Sequence, residues 1–235
     1  MPFEPNRPGR ESIEQRRANG LATTENIEDA VTTLLNDRQT FARFRDAVNL
    51  SLAVRQTHFP MTIARWYSQS VLMGLRRIGD RDPRTHSLRA LLDGMILNPE
   101  DWDIDAVISL WPQEARRDAE TLQFAVSFTY GPFADSSGRS LNTGRVLLDR
   151  DRLDLALSRV KLVVNKTIAH AERTAGLPPN MTFDQLDESI DSCHELVKPY
   201  ITLLTGRSYN DMTPVEAQVW WRIFAPWQEI QPVPE

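Results

Sequence analysis

"VVNKTIAHAER", residues 163–173, is the stretch on which the reading of this chain turns. It continues a run in which Leu153, Leu157, Val160, Val164 and Ile168 stand 4, 3, 4 and 4 residues apart. That spacing lays one apolar stripe along a helix. It predicts the longest helix of the chain, from about Leu147 to His170, with a lone histidine at its end. His170 has three readings: a catalyst, a contact to nucleic acid, or a polar group that finishes the helix. A protonated imidazole at a helix C-terminus is favoured by the dipole, so the third reading needs no function.

The pattern on either side is helical as well. "GLPPN", 176–180, stops the first helix, and Thr182 caps another over 183–205. Its inward residues are Leu186, Ile190, Cys193 or Leu196, Val197, Leu203 and Leu204, with Pro199 expected to kink or end it. Upstream, Thr23 or Thr24 is read as the cap of a helix carrying Ile27, Ala30, Val31, Leu34 and Leu35. A second is read from about Thr40, with Phe41, Phe44, Val48 and Leu52 on one side. Pro60 opens a helix with Ile63, Tyr67, Val71, Gly74 or Leu75, and Ile78 inward. Ser87, or Thr85 ahead of it, can cap the helix carrying Leu88, Leu91, Leu92, Met95 and Ile96 after the turn "GDRDPRTHS". A short helix is read over Trp102–Leu110, another segment from Pro112 to about Tyr130, and a Gly/Pro/Ser loop over 130–144. No strand alternation, internal repeat or phosphate-binding Gly-rich loop is present. The expected fold class is all-α, an antiparallel helical bundle with extra terminal helices.

Composition bounds the function classes. In 235 residues, 41% are hydrophobic and 25% charged, as in folded water-soluble domains. No apolar run reaches membrane-spanning length, and the polar, Pro-rich start lacks a signal-peptide core, so no membrane association and a cytoplasmic location are expected. The single cysteine rules out an internal disulfide. Cys193, His58, His86, His170 and His194 show no zinc-ligand spacing, and neither a metal nor a cofactor is expected. A net charge of −5 argues against a surface coated for indiscriminate nucleic-acid binding but leaves room for a local basic cleft. The basic residues are 24 arginines and 3 lysines. Arginine suits bidentate phosphate contacts, but a genome rich in G and C accounts for the bias more simply than a functional cause does.

Four pieces stand in order along the chain: "GLRRIGD" (74–80), "SLRALL" (87–92), "NKTIAH" (165–170) and "FDQLDESI" (183–190). Together they resemble the abortive-infection AbiU-like branch of the HEPN superfamily, over roughly residues 25–205. The resemblance implies a small helical bundle, commonly a homodimer. It also implies metal-independent ribonuclease chemistry, in which an arginine, a short spacer and a histidine face a second copy. Such a pair makes chemical sense. Histidine titrates near neutrality and can take the proton of a ribose 2′-hydroxyl. Arginine can hold the phosphate and its growing charge. Here the residue before Asn165, where the family places arginine, is Val164. Asn165 and His170 are retained.

The residues carried over are therefore His170 as base or acid, Lys166 as a phosphate-holding charge and Asn165 to orient the ribose or phosphate. Arg159 and Arg173 are the expected RNA contacts. Arg159, Lys166 and His170 fall on one helix face. The implied function is a ribonuclease toxin, or a degenerate RNA- or nucleotide-binding relative, in prokaryotic defence. The alternative is a non-catalytic dimerisation or partner-binding helical module. Such a module would use Trp220, Trp221, Phe224 and Trp227 near the C-terminus, the expected site for an antitoxin or other protein partner. The expected organisation is a flexible segment over 1–22, the helical domain over 23–206, and a Trp-rich helix with a Pro-rich tail over 207–235. Two further clusters take the simpler of two readings: a solvated corner over a nucleic-acid groove for the first, and a favourable helix dipole over a metal or acid–base site for the second. "RRIGDRDPRTHSLR", 76–89, packs five arginines and His86. Asp184, Asp187, Glu188 and Asp191 favour a helix N-terminal half.

Overall fold

The computed structural model describes residues 12–165 and 181–207. Among these are nine α-helices and no named strand: α1 (Ile13–Leu50), α2 (Leu52–Arg55), α3 (Phe59–Ile78), α4 (Leu88–Leu97), α5 (Ile104–Leu110), α6 (Ala119–Thr129), α7 (Thr143–Ala156), α8 (Ser158–Val164) and α9 (Phe183–Thr205).

The first two expected helices are one. α1 runs unbroken for 38 residues, about 57 Å at 1.5 Å per residue. No proline interrupts 13–50, so nothing forces a stop. Thr23 and Thr24 are buried within it rather than capping it, and the Thr24 hydroxyl donates back to the Gly20 carbonyl at 2.9 Å. The cap is Ser12, whose Oγ accepts from the Gln15 amide. The expectation of a loose segment to residue 22 is thus corrected over 13–22. Arg16 reaches the buried Asp101 carboxylate at 2.6 Å, and Arg17 donates to the Asp101 carbonyl. Gly20 sits directly against the Trp102 ring, where a β-carbon would collide. Leu52, expected inside, is 45% exposed.

α3 packs antiparallel on α1: Phe44 meets Phe59, Phe41 stacks on Tyr67 at 4.1 Å, and Leu34 fills the space beside Gly74. α9 also runs antiparallel to α1, pairing Phe183 with Phe41 and Asp191 with Arg38. α4 and α7 form a third antiparallel pair, with Arg89 on Asp154 and Asp93 near Arg150. Between the helices lies one core built from the predicted stripes: Ile27, Val31, Leu34, Tyr67, Val71, Leu75, Leu88, Leu92, Leu153, Val160, Leu186 and Ile190 among others.

The Ser87 cap of α4 and the Thr182 cap of α9 hold as read, the latter as a capping box completed by Gln185. Pro199 lies inside α9, which continues to Thr205; Gly206 then closes it in the left-handed region at φ +64°. The predicted longest helix is instead two, α7 and α8, divided at Leu157. None of the described helices is long and apolar enough to cross a membrane.

Candidate functional site

The division at Leu157 is where the chain's motifs meet. Leu157 is fully buried, and its methyl group lies against Gly79 at the end of α3, again where a β-carbon would collide. The turn from α3 to α4 folds over this point. The Ser87 hydroxyl donates to the Asp80 carbonyl at 2.6 Å, and the Asp80 carboxylate accepts from the Asp82 amide. The pieces 74–80 and 87–92 therefore converge on the start of α8, the helix that leads into "NKTIAH".

A charged node ties these elements together. Asp154 on α7 accepts from Lys161 Nζ at 2.6 Å, from Arg81 Nη2 at 3.1 Å and from Arg89 Nη1. Arg89, only 8% exposed, also donates to Asp93 at 2.8 Å. Burial alone would raise the Asp154 carboxyl, but the Lys161 and Arg89 hydrogen bonds outweigh it and hold it at about 2. The expectation that 76–89 is a solvated corner therefore needs correcting for Arg89. It stands for Arg84, which is exposed and pairs locally with Asp82.

At the end of α8 the two residues that carry the motif face opposite ways. Val164 is fully buried in the core. Asn165 is exposed, with its amide donating to the Lys161 and Leu162 carbonyls. Arg159 is exposed and forms no ion pair with a described residue. Lys166, His170 and Arg173 lie outside the described residues, as do Trp220, Trp221, Phe224 and Trp227. The site residues are thus placed in part: Arg159 and Asn165 on the outer side of α8, Val164 on the inner.

Arg159 lines a groove between α7–α8 and α9. Two adjoining depressions, of about 300 and 460 Å³, share Leu155, Ala156 and Ser192. The wider one is lined by a buried group that the sequence reading passed over. Asp149 is 1% exposed and accepts from Arg145 Nε at 2.8 Å, Arg152 Nη1 at 3.2 Å and the Tyr200 hydroxyl at 3.1 Å. Its hydrogen bond to Asp149 raises the Arg145 guanidinium further, and burial raises the Tyr200 phenol. The available signal was the seven-residue spacing of Arg145, Arg152 and Arg159, which returns nearly to the same face of a helix.

The remaining histidines described here carry no site. His58 is exposed at the start of α3, with no capping bond from its side chain. His86 is exposed, with Nδ1 2.9 Å from the Thr23 hydroxyl. His194 is half-buried on α9, and burial lowers it. Cys193 is fully buried, which pushes its thiol up to about 12. In the acidic run, Asp191 pairs with Arg38, and Asp187 accepts from the Tyr67 hydroxyl at 3.4 Å. Burial raises Asp187. No group of three or more metal-ligating side chains occurs among the described residues.

No curated protein and no solved structure matches the chain. The sequence pattern of one family does, over residues 22–222, and it takes in α3, α4, the Leu157 junction and α9. The match spans most of the chain: this protein belongs to the AbiU2 family of HEPN domains.

Proposed function

We propose that this protein is an RNA-directed HEPN domain of prokaryotic abortive-infection defence, working as a degenerate relative that binds RNA without cutting it. The observation that carries this choice is Val164. It is buried to 0% exposure at the place where the family's arginine would stand. A guanidinium there would point into the core instead of at a phosphate, so the residue that should stabilise the transition state is absent from the outer face. What remains on that face is suited to binding. Asn165 and Arg159 are exposed, and Lys166 and His170 follow in the sequence. In a cleaving form, His170 would act as base or acid and Lys166 would hold the phosphate, with Asn165 orienting the ribose. A homodimer in the cytoplasm fits both forms.

A second reading, a dimerisation or partner-binding module, is favoured by a different observation. Leu148, Leu155 and Leu162 are 60%, 76% and 54% exposed along α7–α8, an apolar row seven residues apart. Rows of that kind are commonly covered by another surface.

The deciding experiment incubates purified protein with a mixed labelled RNA pool in the presence of a chelator, beside His170→Ala. Bound, intact RNA supports the proposal. Cleavage by the wild type that His170→Ala abolishes would replace it with the ribonuclease. Neither binding nor cleavage would move the function to the partner-binding module and its C-terminal tryptophans.

A further inference from the structure

We propose that the groove between α7–α8 and α9 seats a single strand of RNA, with its phosphates on Arg145, Arg152 and Arg159. The inference rests on the RNA-directed reading above and extends it to a surface that reaches along α7 beyond Arg159.

Three features carry it. First, the wall formed by α7 and α8 presents a row of guanidinium groups. Arg145 and Arg152 each pair with the buried Asp149 carboxylate, at 2.8 and 3.2 Å. An arginine has five N–H donors, so both keep donors to spare while Asp149 fixes their position. Their side chains remain 38% and 66% exposed. Arg159 continues the row and has no ion-pair partner among the described residues.

Second, the facing wall is mostly polar. Gln185 and Ser192 can meet ribose hydroxyls or base edges. The acids here are Glu188 and Glu195, and Lys198 holds Glu195 at 2.5 Å. Among the lining residues Arg145, Arg152 and Arg159 balance Asp149, Glu188 and Glu195, on a chain whose net charge is −5, and the three guanidinium groups all stand on the α7–α8 wall. A wall that gathers one sign draws a phosphate backbone to its own side of the groove.

Third, the shape is a trough between packed helices, whose axes typically lie about 8–10 Å apart. The two adjoining depressions, of about 300 and 460 Å³, are small enough for a few nucleotides of single strand and too small for a duplex. No aromatic side chain lines the trough, so the contacts fall on the phosphates, which carry no sequence information.

The test is fluorescence anisotropy with a short labelled single-stranded RNA of mixed sequence, titrated at several salt concentrations. The proteins are the wild type, the Arg152→Ala/Arg159→Ala double variant, the corresponding double lysine variant, and His170→Ala. Circular dichroism checks that each is folded. The alanine pair is expected to bind about tenfold more weakly, and its log K against log salt slope to be shallower by about 1.4, which is two phosphates at about 0.7 each. The lysine pair keeps the slope. RNA bound by the wild type with unchanged affinity and slope in the alanine pair overturns the groove and leaves the proposed function intact. No RNA bound by the wild type overturns both. A change of oligomeric state in the alanine pair with the RNA slope unaltered makes the occupant a second copy and overturns the proposal.

Discussion

Asp154→Asn tests whether the charged node holds α8 in place. In the folded protein the carboxyl sits at about 2 instead of 3.8. A difference of that size corresponds to about 2.4 kcal/mol for a fully shielded group. The side chain is 28% exposed, and solvent screening brings the expectation to about 1.5 kcal/mol at pH 7. For a chain of this length that is a melting point lower by roughly 3–6 °C. The sign with pH follows from the depressed folded value. The stabilisation is complete above the unfolded pKa and is lost as pH falls through the folded one, so about half remains at pH 3. Urea unfolding followed by circular dichroism at pH 7 and pH 3 reads both numbers. The wild type should exceed the variant by about 1.5 kcal/mol at pH 7 and by about half that at pH 3. Equal midpoints at pH 7, or a gap that does not narrow on acidification, would refute an anchoring role for Asp154.

Gly79→Ala drives a β-carbon into the buried Leu157 side chain, and overpacking of this kind typically costs about 1–3 kcal/mol, read by the same unfolding assay. Val164→Arg places an unpaired guanidinium in the core, so it should lower stability by more than about 3 kcal/mol and create no ribonuclease; a stable, cleaving variant would show that α8 can turn its inner face outward. Cys193, with its thiol pushed up to about 12, should not react with a thiol reagent at pH 8 until denaturant is added, which absorbance of the released aryl thiolate reports.

What the sequence disclosed depended on whether the deciding contacts were local. The stripes in α3, α4 and α9 and the caps Ser87 and Thr182 are short-range patterns, and they reappear as the core and the helix ends. The extent of α1 was missed because Thr23 and Thr24 look like caps, whereas burial against the bundle lets their hydroxyls turn inward, as Thr24 does onto the Gly20 carbonyl. The break at Leu157 was missed for a tertiary reason. Its apolar spacing continues the helix pattern, and only the proximity of Gly79, 78 positions earlier, sets it apart. Arg89 and Asp154 are likewise 65 residues apart, so a reading of local charge gave Arg89 to solvent. At the candidate site, the identities of Asn165 and Val164 were legible. Their opposite orientations were not, because the seven-residue α8 belongs to a segment that restarts at Leu157 and takes its facing from the core.

That facing also separates what the family membership says about fold from what it says about chemistry. Several of the residues that carry the likeness do packing work. Gly79 admits Leu157, Ser87 caps α4 and ties back to Asp80, Arg89 ties α4 to α7, and Leu186 and Ile190 fill the core from α9. A chain can keep all of these and still have lost a reaction, because none of them points at a substrate. The chemistry has to rest on groups that face outward. Among the described residues, those are Asn165, Arg159 and the arginines held by Asp149. They are donors without a general base among them, a set that grips a phosphate and leaves its ester bond alone. Cutting would have to be supplied by His170, so His170→Ala should abolish any cleavage while leaving most of the grip, which the groove arginines carry. A loss of RNA affinity in His170→Ala equal to that of the groove variants would instead mean that grip and histidine form one site.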